Sequence, residues 1–253
     1  MTERSTILRE MGLAPIWMTR STAPTVAPVE TLFIAHEAVV VQQPPASHRQ
    51  AAAVTAERRT ESSPDREAEI AAMSWDQLIV SIASCTACKL CSTRIRTVPG
   101  VGDRAPSWMV VGEAPGENED KRGEPFVGKA GQMLDAMLAA VGKNRSEGVY
   151  IANVIKCRPP DNRNPEADEI AACAPYLQRQ IALAQPKLLL AAGKFSAQTL
   201  LNREDTVAAM RAAGGQYEGV PVVVTYHPSY LLRSPLEKAK AWDDLMKACA
   251  IVS

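Results

Sequence analysis

The stretch SWMVVGEAPG, residues 107–116, joins an apolar β-strand to a turn bounded by glycines. Trp108–Val111 is a short unbroken apolar run, which is typical of a strand covered on both faces. Gly112 ends the run, and glycines at both ends of the turn let the backbone bend sharply and approach a ligand closely. A strand covered on both faces belongs to a sheet between two layers of helices, so this stretch predicts an α/β fold.

The same pattern occurs three more times along the chain. Further apolar strands are predicted at Val149–Ile155, Leu188–Ala192 and Val220–Thr225. Helical spacing of apolar residues or helix-capping residues fill the intervals, at Gly131–Val141, at Asn164–Gln185 and from Gly193 to Leu201. Strands that alternate with helices form parallel sheets, so the sequence predicts a three-layer sandwich with a four-stranded parallel sheet flanked by helices.

Three helix starts carry typical capping residues. Ser74 and Gln77 have the capping-box pattern before the helical segment WDQLIVSIAS. Asn164 and Pro165 are suited to the N-cap and first turn of the long helix. The segment Ser234–Glu237 repeats the capping-box pattern before the last helix.

Composition limits the classes of protein to which the chain belongs. Its 253 residues are 46% hydrophobic and 22% charged, and the formal net charge is zero. A strongly basic nucleic-acid binder is therefore excluded on charge alone, although a locally basic groove is not. No run of about eighteen apolar residues occurs, and the charged first ten residues lead into no apolar segment. We therefore expect a cytoplasmic protein with neither a membrane partner nor a signal peptide.

Residues 1–72 differ in composition from the rest of the chain. They contain no lysine, one glycine and the run AAAVTAERRTESSPDREAE. Such a segment buries too little apolar surface to fold, so residues 1–72 are expected to be a mostly disordered extension and residues 73–253 the folded domain. Ile7–Arg20 has the pattern of a short amphipathic peptide. It is either a motif that binds a partner protein or a helix that packs on the protein's own body.

Six cysteines in a chain of cytosolic type indicate metal binding or redox chemistry rather than a disulfide framework. The candidate ligands are Cys85 and Cys88, in C-x2-C spacing, with Cys157 and Cys173. Four thiolates suit either zinc or a 4Fe–4S cluster, and spacing does not choose between them. Cys91 is an alternative ligand, packed free thiols are the alternative for Cys157 and Cys173, and Cys249 is expected in the core.

Polar residues occupy the ends of the predicted strands. Glu113 follows the first strand, Asn153 interrupts an apolar strand, and His227 ends the fourth. The carboxyl ends of parallel strands lie at one edge of the sheet, where α/β proteins bind ligands. A buried Asn must also satisfy its amide, either by structural hydrogen bonds or by contact with a ligand. The three residues therefore predict a ligand site, with a catalytic role favoured for His227.

Two loops are candidate sites for phosphate. Residues 123–131, GEPFVGKAG, place backbone amides and Lys129 at a helix N-terminus, where anions bind favourably. Phe126 in this loop is either a core residue or a ring that stacks on a base. Residues 156–165, KCRPPDNRNP, are either a contact for a phosphate backbone or a solvated loop, and their basic side chains are Lys156, Arg158 and Arg163.

Five motifs occur in the order C-T-A-C, G-E-A-P-G, P-F-V-G-K-A-G-Q-M-L, N-V-I-K-C-R-P-P and H-P-S-Y-L-L. With them the chain resembles the family 4 uracil-DNA glycosylases, the iron–sulfur type of bacteria and archaea. The resemblance extends from about Trp75 to the C-terminus. It implies hydrolysis of the bond between uracil and deoxyribose, the first step of base-excision repair. It also implies a 4Fe–4S cluster on Cys85, Cys88, Cys157 and Cys173.

The resemblance implies a set of residues that bind the base. Asn153 would pair with uracil N3–H and O4, and Phe126 would stack on the ring. Glu119 would line the place where a thymine methyl group would fall. Gly112 and Ala114 would form the pocket wall with their backbones.

The resemblance implies catalytic and DNA-binding residues as well. His227 would donate a hydrogen bond to uracil O2 as negative charge develops, and Glu113 would orient water or stabilise the sugar cation. Residues expected at the DNA are Lys129, Arg158, Leu231, Leu232 and Arg233, of which the last three would lie in a loop that enters the minor groove.

Uracil-containing DNA is thus the expected partner of a monomer that acts at the bacterial nucleoid. Ile7–Arg20 resembles in part the N-terminal peptide of the psi subunit of the bacterial clamp loader, which implies a replication or repair protein as a further partner. Two alternatives stay open. One is a related glycosylase with another lesion preference, such as hypoxanthine, or a covalent uracil binder. The other is a non-enzymatic iron–sulfur protein that binds DNA.

Overall fold

Helices and strands alternate along residues 64–252, the part of the chain that the computed structural model describes. The elements in chain order are α1 (Pro64–Ala72), α2 (Trp75–Ser84), β1 (Val101–Gly102), β2 (Trp108–Gly112), α3 (Glu117–Arg122), α4 (Lys129–Ala139), β3 (Val149–Asn153), α5 (Ala167–Ala184), β4 (Leu188–Ala192), α6 (Lys194–Leu201), α7 (Val207–Ala213), β5 (Gly215–Tyr217), β6 (Val220–Thr225), α8 (Pro228–Arg233) and α9 (Lys238–Val252). None of these helices is both long and apolar enough to cross a membrane.

The strands of the described residues form one sheet in the order β1–β3–β2–β4–β6–β5. Its four central strands are parallel, which confirms the predicted core, and β4 and β6 have the predicted bounds. Two short antiparallel strands, β1 and β5, extend the sheet to six strands rather than four. With two and three residues, they are too short to show the alternation that identifies a strand from sequence.

Helices cover both faces of the sheet. Every residue of β2, β3 and β4 is buried, as expected for strands between two helical layers. Trp108 faces one core, with Leu134 of α4, and its neighbour Met109 faces the other, with Leu177 of α5. The two layers hold the carboxyl ends of the central strands together at one edge.

Capping explains where two of the predicted helices begin. The Ser74 hydroxyl and the Gln77 side chain form the predicted capping box, and α2 begins at Trp75. The prediction that Asn164 caps the long helix is wrong. The side chain of Glu169 accepts the backbone N–H of Glu166, so α5 begins after Glu166.

The last helix also begins later than predicted. Pro235–Glu237 forms a 3-10 turn, and the Ser234 side chain makes no capping hydrogen bond. α9 begins at Lys238.

The folded part of the chain begins earlier than residue 73. α1 packs against α5 through Ile70, which is 2% exposed and contacts the cluster formed by Leu78, Ile82 and Tyr176. The guanidinium of Arg66 lies 5.1 Å from the ring centroid of Tyr176. Residues 64–72 are therefore helix rather than linker. The remainder of the predicted extension, with the segment Ile7–Arg20, lies outside the described residues.

The variant Ile70→Ala tests whether α1 belongs to the domain. Truncating a buried isoleucine leaves a cavity, and we expect the free energy of unfolding to fall by about 2–5 kcal/mol. Glu69→Ala, one residue earlier on the exposed face, is the matched control and should change it by less than about 0.5 kcal/mol. Denaturant unfolding of the full chain measures both. Equal stability of the two variants would contradict a structural role for α1.

Candidate active site and cysteine cluster

A cleft of about 490 Å³ lies at the carboxyl ends of the central strands. It brings together Glu113 after β2, Asn153 at the end of β3 and His227 after β6, as predicted from their positions. The other predicted site residues that line it are Ala114, Glu119, Phe126 and Arg233.

Asn153 places a polar side chain in the buried part of the cleft. The residue is 2% exposed, and its Oδ1 has no hydrogen-bond partner within residues 64–252. A buried amide oxygen without a partner is costly, because the group has lost its contact with water. This oxygen is therefore available to a ligand that carries an N–H donor.

Gly112 allows two site side chains to approach each other. A Cβ atom at Gly112 would lie 2.3 Å from Asn153 Oδ1 and 2.6 Å from the Phe126 ring. Phe126 has a left-handed backbone conformation (φ 54°), and a Cβ atom at Gly131 would lie 1.7 Å from its carbonyl oxygen. Both glycines are required because the backbone approaches closely there.

Glu113 lies beneath the cleft, against the start of α6. Its Oε1 accepts the backbone N–H of Phe195 at 3.0 Å. Burial raises the pKa of the Glu113 carboxyl, and hydrogen bonds from the backbone of Phe195 and Lys194 oppose that rise. Gly193 (φ 114°) leaves room for this carboxylate, because a Cβ atom there would lie 2.5 Å from Oε1.

His227 is a half-buried, neutral imidazole. Burial, together with the positive charge of Arg233, lowers the pKa of His227 to about 4, against the opposing charge of Glu119. The backbone N–H of Ser229 donates to Nδ1 at 3.2 Å. Because Nδ1 is an acceptor, the neutral ring carries its proton on Nε2, which is then a hydrogen-bond donor. The ring lies 5.6 Å from that of Phe126, centroid to centroid.

Glu119 orders the loop beside the cleft. Its Oε1 accepts the backbone N–H groups of Val127 (2.8 Å) and Gly128 (3.0 Å), and its Oε2 accepts that of Gly116 (3.1 Å). The expectation that the amides of residues 123–131 bind phosphate is therefore wrong for Val127 and Gly128, because a carboxylate already occupies them. Lys129 itself is exposed at the start of α4.

The predicted DNA-contact residues differ in exposure. Leu232 is 43% exposed, whereas its neighbour Leu231 is fully buried in the core, so the prediction that Leu231 reaches DNA is wrong. Arg233 lines the cleft. Arg158 donates through Nε to Asn162 Oδ1 at 2.8 Å and so supports the turn that follows Cys157.

A second, much smaller cavity of about 20 Å³ lies where the candidate cysteine ligands meet. Its lining includes Cys85, Cys88, Cys91, Cys157 and Cys173. Within residues 64–252, no three His, Cys, Asp or Glu side chains converge closely enough to hold a single metal ion. Cys249 of α9 lies apart from this cavity; it is partly buried and packs against the core.

Positive groups surround the cysteine cavity. Arg94 Nη1 donates to Cys157 Sγ at 3.1 Å, and Arg66 Nη2 lies 3.9 Å from Cys85 Sγ. Burial raises the pKa of the Cys157 and Cys173 thiols to about 11 and about 12, so a thiolate there needs positive charge close by.

A family model gives independent evidence on this fold and cleft. The model described as the Uracil DNA glycosylase superfamily matches residues 99–246. The match covers more than half of the chain and includes every strand end of the cleft. The chain belongs to the uracil DNA glycosylase superfamily.

Several relatives within the superfamily are type-4 uracil-DNA glycosylases. The chain is 41% identical to the type-4 uracil-DNA glycosylase of Archaeoglobus fulgidus over 182 residues, which are 69% of this chain and 91% of the relative. It is 41% identical to that of Sulfurisphaera tokodaii over 170 residues, 64% of this chain and 77% of the relative. Identity to that of Pyrobaculum aerophilum is 39% over 183 residues, 68% and 92% of the two chains. These relatives confirm the family predicted from the motifs.

Sequence reasoning missed some residues at the cleft of this superfamily member. Ser229 binds the imidazole of His227, and Gly193 makes room for Glu113. The segment 162–165 was predicted only as part of a phosphate-contact loop, but it lines the cleft, and Glu169 holds it through Arg163 with hydrogen bonds of 2.9 and 2.5 Å. The sequence offered two signals for these contacts: Gly193, directly after the third predicted strand, and Ser229, two residues after His227.

Proposed function

We propose that the protein removes uracil from DNA by hydrolysing the bond between the base and deoxyribose, and that the cleft binds the base after it has left the helix. The unpartnered, buried Oδ1 of Asn153 carries this proposal, since it needs an N–H donor from a ligand. Uracil N3–H is such a donor. The type-4 relatives, named for action on uracil in DNA, support the same substrate.

The Asn153 amide would select uracil over cytosine. Its oxygen accepts from uracil N3–H, and its NH2 group donates to O4. Cytosine has no N3–H and carries an amino group in place of O4, so both partners would be left unpaired. Unpaired buried polar groups cost about 1–3 kcal/mol each. Phe126 would stack on the flipped base, which is worth about 1–3 kcal/mol, and Glu119 would stand at the site of a thymine methyl group.

The chemical step places negative charge on uracil and positive charge on the sugar. The Nε2–H of a neutral His227 would donate to uracil O2 as that charge develops. Glu113 would orient water or stabilise the sugar cation. The hydrogen bond that its carboxylate accepts from the backbone N–H of Phe195 fixes the direction of the side chain. Lys129, Arg158, Leu232 and Arg233 would contact DNA at the rim of the cleft.

A resident iron–sulfur cluster is part of the proposal. Cys85, Cys88, Cys157 and Cys173 line one cavity and would hold a 4Fe–4S cluster. Four thiolates suit zinc as well, and the resemblance to the iron–sulfur uracil-DNA glycosylases favours the cluster. The guanidinium groups of Arg94 and Arg66 would offset the negative charge of the cysteine thiolates that hold the cluster. When bound, the cluster supplies a cross-link between the loop after Asn153, the α2–β1 loop and α5.

The remaining proposals concern partners and location. We place the enzyme in the bacterial cytoplasm as a monomer that acts at the nucleoid. A replication or repair protein would bind the segment Ile7–Arg20.

A cleavage assay on oligonucleotides with a single uracil tests the function, and Asn153→Asp tests its basis. The wild type should leave an abasic site at uracil. Asn153→Asp should cleave uracil about 5–150-fold more slowly, because an ionised carboxylate cannot donate to O4, and its preference for uracil over cytosine should shrink. Asn202→Asp, an exposed residue at the far end of α6, is the matched control.

Each alternative function predicts another result in the same assay. Cleavage of hypoxanthine rather than uracil would indicate another lesion preference. DNA binding without any cleavage would indicate a non-enzymatic protein. Unchanged uracil cleavage by Asn153→Asp would remove Asn153 from base recognition.

A further inference from the structure

Lys156 is a lysine enclosed between the cleft and the cysteine cavity. It is 2% exposed, it lines the cysteine cavity, and it follows Asn153 by three residues. Burying an ammonium group is expensive unless hydrogen bonds and opposite charge compensate for the lost water. The contacts of Lys156 explain why a lysine is tolerated at this buried position.

The Lys156 side chain turns back to the base-binding residue. Its Nζ donates to the backbone carbonyl of Asn153 at 2.6 Å. The backbone bends at residues 154–157. In this bend, Val154 N–H donates to Gly112 O at 3.0 Å and Ile155 N–H donates to Glu113 O at 3.2 Å. The ammonium group thus closes a turn that begins at the last residue of β3 and fixes the backbone from which the Asn153 amide projects.

The backbone of Lys156 faces the cysteines. Its carbonyl accepts the N–H of Val98 at 2.8 Å, and its backbone hydrogen-bonds the sulfur of Cys173. Lys156 therefore has a side-chain contact with the base-binding residue and backbone contacts with the segments around the cysteine cavity.

We propose that Lys156 is a positioning residue for uracil recognition: its buried side-chain nitrogen donates to the Asn153 carbonyl and holds the backbone of the base-binding residue. The inference rests on the proposed function. In this proposal the Lys156 side chain and the backbone from Asn153 to Lys156 connect the cysteine cavity to the cleft. Lys156 touches no substrate atom in this scheme.

The variant Lys156→Met tests the proposal with Lys247→Met as a matched control. Both changes replace a lysine by methionine, but Lys247 is exposed on α9 and only Lys156 contacts Asn153. The readouts are iron content, affinity for free uracil by direct titration, and the ratio of uracil to cytosine cleavage. Lys156→Met should keep its iron, bind uracil about 5–100-fold more weakly and show a lower ratio, since the Asn153 carbonyl loses its donor. Lys247→Met should keep the wild-type uracil affinity and ratio.

Lys156→Arg retains the charge and a donor and should recover at least part of the uracil affinity. Wild-type affinity in an iron-loaded Lys156→Met protein would overturn the proposal. An equal loss in Lys156→Met and Lys247→Met would overturn it as well, because the effect would then not depend on the contact with Asn153. If Lys156→Met lacks iron, Lys156→Arg decides: iron with restored uracil binding supports the proposal, and failure to load iron refutes it. Failure of the wild type to bind or cleave uracil would instead refute the proposed function.

Discussion

Replacement of His227 by alanine is expected to slow cleavage of uracil-containing DNA by about 100–1000-fold under single-turnover conditions, the usual cost of removing one preorganised donor to a developing oxyanion. The affinity for DNA should stay near that of the wild type. The reason is that Nε2–H would interact most strongly with uracil O2 once charge has developed, and only weakly with the bound ground state. Rapid-quench cleavage and a separate binding titration measure the two quantities.

The pH dependence gives a second test of His227. Its pKa is lowered to about 4, so the ring stays neutral from pH 8 down to about pH 5, and no loss of rate with a midpoint near 6.5 is expected. Burial raises the pKa of Glu113. A reaction that needs the Glu113 carboxylate should therefore lose rate as pH falls through a value above the ordinary range of a glutamate. Glu113→Gln should abolish that acid limb.

Arg233→Ala is the control for His227→Ala, because both residues line the cleft. If Arg233 contacts the DNA backbone, its loss should weaken binding and reduce the salt dependence of binding, with little change in the rate of the bound complex. Normal single-turnover cleavage with lost DNA binding in His227→Ala would make His227 a DNA-positioning residue and remove it from the catalytic set.

Loss of a cluster ligand should have the other large effect. Cys173→Ala is expected to lose its iron and to unfold far more easily than the wild type, because metal binding contributes directly to folding where a site joins distant segments. Cys173 belongs to α5, and its proposed partners lie in the α2–β1 loop and after β3. Iron analysis, the brown colour of the protein and thermal unfolding provide the measurements.

Two other cysteines are matched controls for Cys173→Ala. Cys249→Ser alters a thiol in the far core, and Cys91→Ser alters one that lines the same cavity without being a proposed ligand. Both should keep about four irons per chain. Loss of iron in Cys91→Ser would place Cys91 among the ligands. Stoichiometric zinc without iron in anaerobically prepared wild type would refute the cluster.

The central sheet could be predicted because its signals are local and strong. Leu188–Ala192 is an unbroken apolar run, Val220–Thr225 has valine at four of its six positions, and the bounds of both agree with the structure. The polar residues after the strands could be assigned to one site because parallel strands end at one edge. α1 was missed because its composition resembles that of a linker and its burial depends on Ile70, whose partners are distant in sequence.

Side-chain orientation and contacts between loops could not be predicted from the sequence. Leu231 and Leu232 are adjacent and chemically identical, so only the rotation of α8 decides which one is buried. Glu119 was predicted to line the pocket, but its three backbone hydrogen bonds depend on how the loop at residues 123–128 folds back. The burial of Lys156 was likewise hidden, since a lysine in a basic motif favours an exposed side chain.

The carboxylate of Glu119 has a consequence for how quickly a base is accepted. Because it holds the amides of Gly116, Val127 and Gly128, this loop of the cleft is hydrogen-bonded in place without any ligand. The conformational entropy of ordering that loop is lost once, when the chain folds, and not at each encounter with DNA. A base that leaves the helix for a short time therefore meets a loop that is already ordered, which favours its capture over its return to the stack.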